Sequence, residues 1–112
     1  MATVRYRPHL LMNEQEARGV LRAHLDSYRA QSYRELQRLL GTPMTAEVTA
    51  PSGTGYQIEV QAVWDDEPGG RLRVVGGISD RGWQSFTPLI EAFIVTPDGA
   101  LGEQAEPPAR SR

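Results

Sequence analysis

From Tyr56 to Asp65 the chain reads Tyr-Gln-Ile-Glu-Val-Gln-Ala-Val-Trp-Asp, apolar and polar residues alternating with period two. That period belongs to a β-strand covered on one side and wet on the other, the usual condition of a strand in an antiparallel sheet. Tyr56, Ile58, Val60, Ala62 and Trp64 share the inward face; Gln57, Glu59, Gln61 and Asp65 share the outward one. A second run places Leu72, Val74, Gly76 and Ile78 on one side and Arg71, Arg73, Val75 and Gly77 on the other. Asp66-Glu67-Pro68-Gly69-Gly70 joins the two runs as a loop, so they form a hairpin. Its register follows from the faces. Pairing Asp65 with Arg71 sets Trp64 opposite Leu72, Ala62 opposite Val74, Val60 opposite Gly76 and Ile58 opposite Ile78, whereas a slip of one residue sends one apolar set into water. Gly76-Gly77 in mid-strand predicts a bulge, a bend or a close approach by a helix, with the sheet curling there.

Upstream the period changes to that of a helix. Asn13 stands three positions before Glu16, a capping arrangement with acids at the positive helix end. Ala17, Val20, Leu21, Leu25 and Tyr28 then recur three and four apart, while Arg18, Arg22, Asp26 and Arg29 project to the other side. Arg22 and Asp26 stand at i, i+4 and are expected to pair. Ser32-Tyr33-Arg34-Glu35 repeats the capping box, so a break falls near Gln31, and Leu36, Leu39 and Leu40 give the second helix its apolar side before Gly41-Thr42-Pro43 stops it. Met44 to Ala50 predicts a short strand and Pro51 to Gly55 a turn. Beyond the hairpin, Ser79-Asp80-Arg81-Gly82 reads as a turn and Trp83 to Thr87 as a strand ended by Pro88. Leu89 to Ala92 reads as a helical turn or continued strand, Phe93 to Thr96 has strand composition, and Pro97-Asp98-Gly99 reads as a turn. The expected fold is α+β, an N-terminal helical region on one face of a curved antiparallel sheet of about four strands. Residues 1–102 form the single domain and 103–112 a disordered tail with nothing to bury.

Composition narrows the chemistry. A chain of 112 residues suits one domain. It has no cysteine, which excludes thiol catalysis, disulfides and thiolate zinc sites. All 12 basic residues are arginine, which excludes Schiff-base and ammonium mechanisms by the chain's own side chains. No segment approaches the ~20 apolar residues of a membrane span, and a cytoplasmic location is expected. Residues 1–41 carry seven arginines against four acids, a balance of +3, and residues 42–112 carry five against ten, a balance of −5. A sheet half that is net acidic argues against nucleic acid as a partner.

The candidate motifs are weak. His9 and His24 are not spaced for a metal, and His24 lies beside the buried stripe of the first helix. Asp65-Asp66-Glu67 lacks the spacing of a calcium loop. Ser52-Gly53-Thr54-Gly55 lacks the lysine and the helix of a phosphate loop, and Gly76 to Gly82 lacks the flanks of a dinucleotide fingerprint. No nucleophile-elbow motif is present, and no cofactor is expected. The residues that stand out are a charged and aromatic cluster, Asp80, Arg81, Trp83 and Phe86, near a turn, and Val63 and Val75 on the otherwise polar face that carries Arg73. Arginine and tryptophan are common at interface centres, and exposed valines seed contact patches.

Tyr-Gln-Ile-Glu-Val-Gln-Ala-Val-Trp-Asp-Asp, Arg-Val-Val-Gly-Gly-Ile-Ser-Asp-Arg-Gly-Trp, Phe86-x-Pro88 and Phe93-Ile-Val-Thr-Pro-Asp-Gly together resemble a group of short uncharacterised bacterial proteins over residues 30–100. The resemblance implies a fold and assigns no activity. The expected function is a non-catalytic module that self-associates or binds another protein, with Val63, Arg73, Val75, Asp80, Arg81 and Trp83 as binding residues. The alternative is a small-ligand binder or enzyme with a pocket between helix and curved sheet.

Overall fold

The computed structural model describes residues 13–80 and 88–104. Helix α1 (Glu14–Arg29) starts where Asn13, in extended backbone, accepts the Glu16 amide proton at 3.1 Å. Glu14 and Glu16 in its first turn and Arg29 in its last complement the helix dipole. Its buried residues are Ala17, Leu21 and Leu25, one stripe at four-residue spacing. Ser32 then forms the full capping box, its hydroxyl accepting from the Glu35 amide while the Ser32 amide donates to the Glu35 carboxylate, and opens the short helix α2 (Tyr33–Leu36). A 3-10 turn (Gln37–Leu39) follows, and Gly41 at φ 70° takes the left-handed conformation after it.

The sheet is an antiparallel meander of β1 (Met44–Thr49), β2 (Gly55–Trp64), β3 (Leu72–Asp80), β4 (Leu89–Val95) and β5 (Leu101–Gln104), in that spatial order. It is open, and it has five strands where about four are predicted. The β2–β3 register is the one the faces require, with Trp64 opposite Leu72, Ala62 opposite Val74, Val60 opposite Gly76 and Ile58 opposite Ile78. Asp65 donates its amide proton to the Arg71 carbonyl at 2.8 Å, closing the hairpin at its base. One face is buried: Tyr56, Ile58, Val60, Leu72, Val74, Ile78 and Phe93 are fully covered together with Leu21, Leu25 and Leu36 of the helices. Each such aliphatic side chain contributes on the order of 1.5–3 kcal/mol on burial.

Gly76 and Gly77 do not interrupt the ladder on either side, so there is no bulge. Gly76 is instead a point of close approach by α1: a methyl group there would lie 3.0 Å from Leu25 Cδ2 and 3.1 Å from Leu21 Cδ1. Helix and sheet are also tied by polar contacts. The Tyr56 hydroxyl donates to Glu16 Oε1 at 2.8 Å, Ser52 Oγ donates to the same oxygen at 3.0 Å, and the Tyr33 hydroxyl donates to the Gly70 carbonyl at 2.7 Å. Arg29 lies 4.9 Å from the centre of the Phe93 ring.

Three local expectations change, and one left between two readings is decided. Arg22 and Asp26 each find another partner, Asp26 pairing with Arg29 at 3.1 Å and Arg22 with Glu91 at 3.4 Å. Ser79 and Asp80 belong to β3 and not to a turn, because Tyr56 and Gln57 continue the ladder opposite them. Leu89 to Ala92 continues as strand. The backbone of Glu103 and Gln104, assigned to the tail, pairs with Phe93 and Ala92. The strand predicted at Trp83 to Thr87 lies outside the described residues. Among the described residues no helix is long and apolar enough to cross a membrane.

Candidate functional site: the open face of the sheet

Alternation that buries one face of the sheet turns a second set of residues away from the helices. Reading across the strands in register, Thr45, Glu59, Gly77 and Ile90 form one row; Gln61, Val75 and Ala92 form the next; Val63, Arg73, Ile94 and Gly102 form a third. The second and third rows and the Ile90 end of the first are largely apolar. Val63 is 43% and Ile90 53% exposed, while Val75, Ala92 and Ile94 are half-buried by their neighbours.

The face is not flat. Gly77 lacks a side chain between taller neighbours and leaves a shallow depression of about 300 Å³, bordered by Gln57, Glu59, Gln61, Val75, Ser79 and Ile90. Its rim is amide, carboxylate and hydroxyl on the β1–β2 side and hydrocarbon on the β4 side. At the far end of the face Asp65 accepts from Arg71 Nε at 3.1 Å and from Arg73 Nε at 3.1 Å and Nη2. Arg73 is thereby held over the sheet.

Of the residues singled out in the sequence, Val63, Val75 and Arg73 come together here. Asp80 does not join them: it pairs with Tyr56 and falls on the helix side of the sheet, two positions beyond the buried Ile78. Arg81, Trp83 and Phe86 lie outside the described residues. Ile90, Ala92 and Ile94 belong to the face and were missed. The signal was present: Ile90, Ala92 and Ile94 alternate with Leu89, Glu91, Phe93 and Val95, a strand apolar on both faces save for one acid.

Asp66 and His24 are engaged by their own surroundings. Asp66 Oδ1 accepts the amide protons of Glu67 and Arg71, and the Glu67 amide above all holds its pKa below the usual carboxylate range. His24 stacks obliquely on Tyr28, ring centres 5.6 Å apart, and burial lowers its pKa. Among the described residues no group of three or more histidine, aspartate or glutamate side chains is placed to hold a metal ion. His9 lies outside them. A second groove, about 280 Å³, runs between the end of α1, α2 and β1, lined by Tyr28, Arg38, Leu39 and Met44. No protein-family model, no curated protein and no solved structure matches this chain.

Proposed function

We propose that the chain is a non-catalytic interaction module that binds protein through the open face of its sheet. The observation that carries this reading is the continuous apolar band Val63, Val75, Ala92, Ile90 and Ile94 on the side turned away from the helices. Single exposed apolar residues are ordinary on protein surfaces, whereas a contiguous group on three neighbouring strands is the signature of a contact surface. The alternative, a pocket between helix and sheet, is disfavoured by the packing of Leu21 and Leu25 onto Gly76, which fills that space at the centre of the sheet. A cytoplasmic setting and a bacterial source belong to the same proposal and rest on the sequence alone. Protein is favoured over nucleic acid because Glu47 and Glu59 mark one end of the face.

The test compares two substitutions. Val75→Asp is expected to abolish association, read as mass in solution and as crosslinking to a partner, with the thermal midpoint nearly unchanged. Val60→Asp is expected to unfold the chain, because it buries a charge in the core. Association undiminished in a folded Val75→Asp protein would overturn the reading.

A further inference from the structure

The open face is complementary to itself. Its charges differ along the strands: Glu47 and Glu59 stand on one side of the Gln61–Val75–Ala92 row, and on the other stand Arg71 and Arg73, both bonded to Asp65, with Asp66 also 3.6 Å from Arg71. Its relief differs the same way, with the depression over Gly77 one row to the Glu59 side and the Arg73 side chain one row to the opposite side. Gly77 and Arg73 occupy the same strand, equidistant from Val75.

We propose that this face binds a second copy of the chain about a two-fold axis lying along the Gln61–Val75–Ala92 row, so that Arg73 of each copy enters the depression of the other beside Glu59. This rests on the reading of the open face as a protein contact and names its partner. A two-fold along that row reverses the strand direction while leaving β3 over β3 and β4 over β4. Val75 then meets Val75, Ala92 meets Ala92, Ile90 meets Ile94, and the Glu59 row of each copy covers the Arg73 row of the other. A foreign partner needs complementarity to this face but does not require the face to complement itself, whereas an isologous dimer does. Face-to-face sheets pack about 10 Å apart, a gap that long side chains at the ends must bridge and short ones at the centre must not fill. The central row carries valine and alanine beside Gln61, Gly77 lies one row off it beside Glu59, and Arg73 lies one row off it on the opposite side. The bonds from Arg73 to Asp65 use Nε and Nη2, so Nη1 is the nitrogen directed to Glu59 of the second copy.

The area sets the strength. Four strands about 4.8 Å apart and seven residues at about 3.4 Å each present about 500 Å² per copy. The sum of about 1,000 Å² lies at the lower bound for a specific interface, so the dimer is expected to be weak and to dissociate on dilution.

Sedimentation of the full chain at rising concentration tests this. The wild type is expected to move from one chain mass toward two, less readily at high salt. Glu59→Arg alone and Arg73→Glu alone are expected to stay monomeric, because each sets like charges against each other. An equimolar mixture of the two is expected to associate: the native Arg73 of the first variant faces the native Glu59 of the second, and the two substituted side chains face each other with opposite charge. Circular dichroism of each variant verifies that it is folded, and Glu59→Arg, exposed and outside the Asp65 cluster, anchors the comparison if Arg73→Glu loosens the hairpin. A wild type monomeric throughout overturns the proposal and leaves a foreign partner for the face. A wild-type dimer lost in Val75→Asp, with no association in the mixture, overturns the two-fold pairing alone. A dimer that persists in Val75→Asp overturns the use of this face altogether.

Discussion

Arg18 of α1 and Glu91 of β4, 73 positions apart in sequence, meet at 2.9 Å on the helix side of the sheet. Glu91 occupies an inward position, opposite Gly76 and between Leu89 and Phe93, and its side chain is only 12% exposed. An acid there is tolerated because two helix arginines reach it, Arg22 from 3.4 Å and with more solvent around it. Removing Glu91 leaves two guanidinium groups over an apolar sheet; removing one arginine leaves the other. Glu91→Ala is therefore expected to cost about 1–2 kcal/mol and Arg18→Ala about 1 kcal/mol, while Arg22→Ala costs only a few tenths. Urea unfolding of the three variants measures the order, and a larger loss for Arg22→Ala than for Arg18→Ala would contradict it.

The adjacent glycines of β3 are expected to respond in opposite ways. A methyl group on Gly76 meets three methyl carbons of Leu21 and Leu25 at 3.0–3.2 Å, all in fully buried side chains. Gly76→Ala is thus expected to destabilise by about 1 kcal/mol and Gly76→Val by about 1–3 kcal/mol. A methyl group on Gly77 comes close only to the Cδ1 of exposed Ile90 at 3.3 Å, which can turn aside, and makes ordinary contact with the Leu89 carbonyl oxygen at 3.8 Å and Pro88 Cβ at 3.9 Å. Gly77→Ala removes the conformational freedom of a glycine in the unfolded chain and is expected to be neutral or stabilising by up to about 1 kcal/mol. Thermal midpoints of the two alanine variants, moving in the same direction by similar amounts, would show that the helix does not press on Gly76.

The hairpin was legible because only one register keeps Ile58 opposite Ile78 with both apolar sets inside, and the caps were legible because Asn13 and Ser32 act within three residues of themselves. What escaped was set by contacts distant in sequence. Glu91 breaks the alternation of β4, and nothing local reveals that Arg18 will offset it, so the strand read as ambiguous and its outward residues Ile90 and Ile94 were lost from the candidate face. β5 escaped for another reason. Leu101-Gly102-Glu103-Gln104 has one apolar side chain and is held by the turn at Thr96, whose amide donates to Ala100, and by backbone pairing to β4, neither of which leaves a pattern in the sequence. The face of Asp80 was not legible because the predicted turn began two residues too early, at Ser79, where β3 continues.

His24 makes stability depend on mild acid. Burial lowers its pKa in the folded chain, so near neutral pH the imidazole is uncharged in both states and contributes nothing. As pH falls through about 6.5 the unfolded chain takes up a proton that the folded chain resists, and stability declines until the folded-state pKa is passed. Stability from denaturant unfolding is expected to fall as pH drops below about 6.5 in the wild type and less steeply in His24→Gln. Parallel curves for the two proteins over that window would show that His24 is not desolvated.

Tyr56 acts at the other end of the scale. Burial first, then its hydrogen bond to Glu16, then the charges of Glu16 and Asp80, raise its pKa above the ordinary phenol value. The folded chain holds the neutral phenol, and that stability is fully present below the unfolded pKa of about 10. Above it, the unfolded chain loses the phenolic proton and the folded chain does not, so stability drops as pH rises. Tyr56→Phe removes the donor to Glu16, whose carboxylate keeps Ser52 as a donor, and is expected to cost about 1–2 kcal/mol at pH 7. Because phenylalanine has no proton to lose, the gap between wild type and variant is expected to narrow above about pH 10, the other tyrosines cancelling in the comparison. A gap that stays constant or widens would mean that the Tyr56 hydroxyl reaches solvent, and that the contact joining α1 to the inward face of β2 does not form.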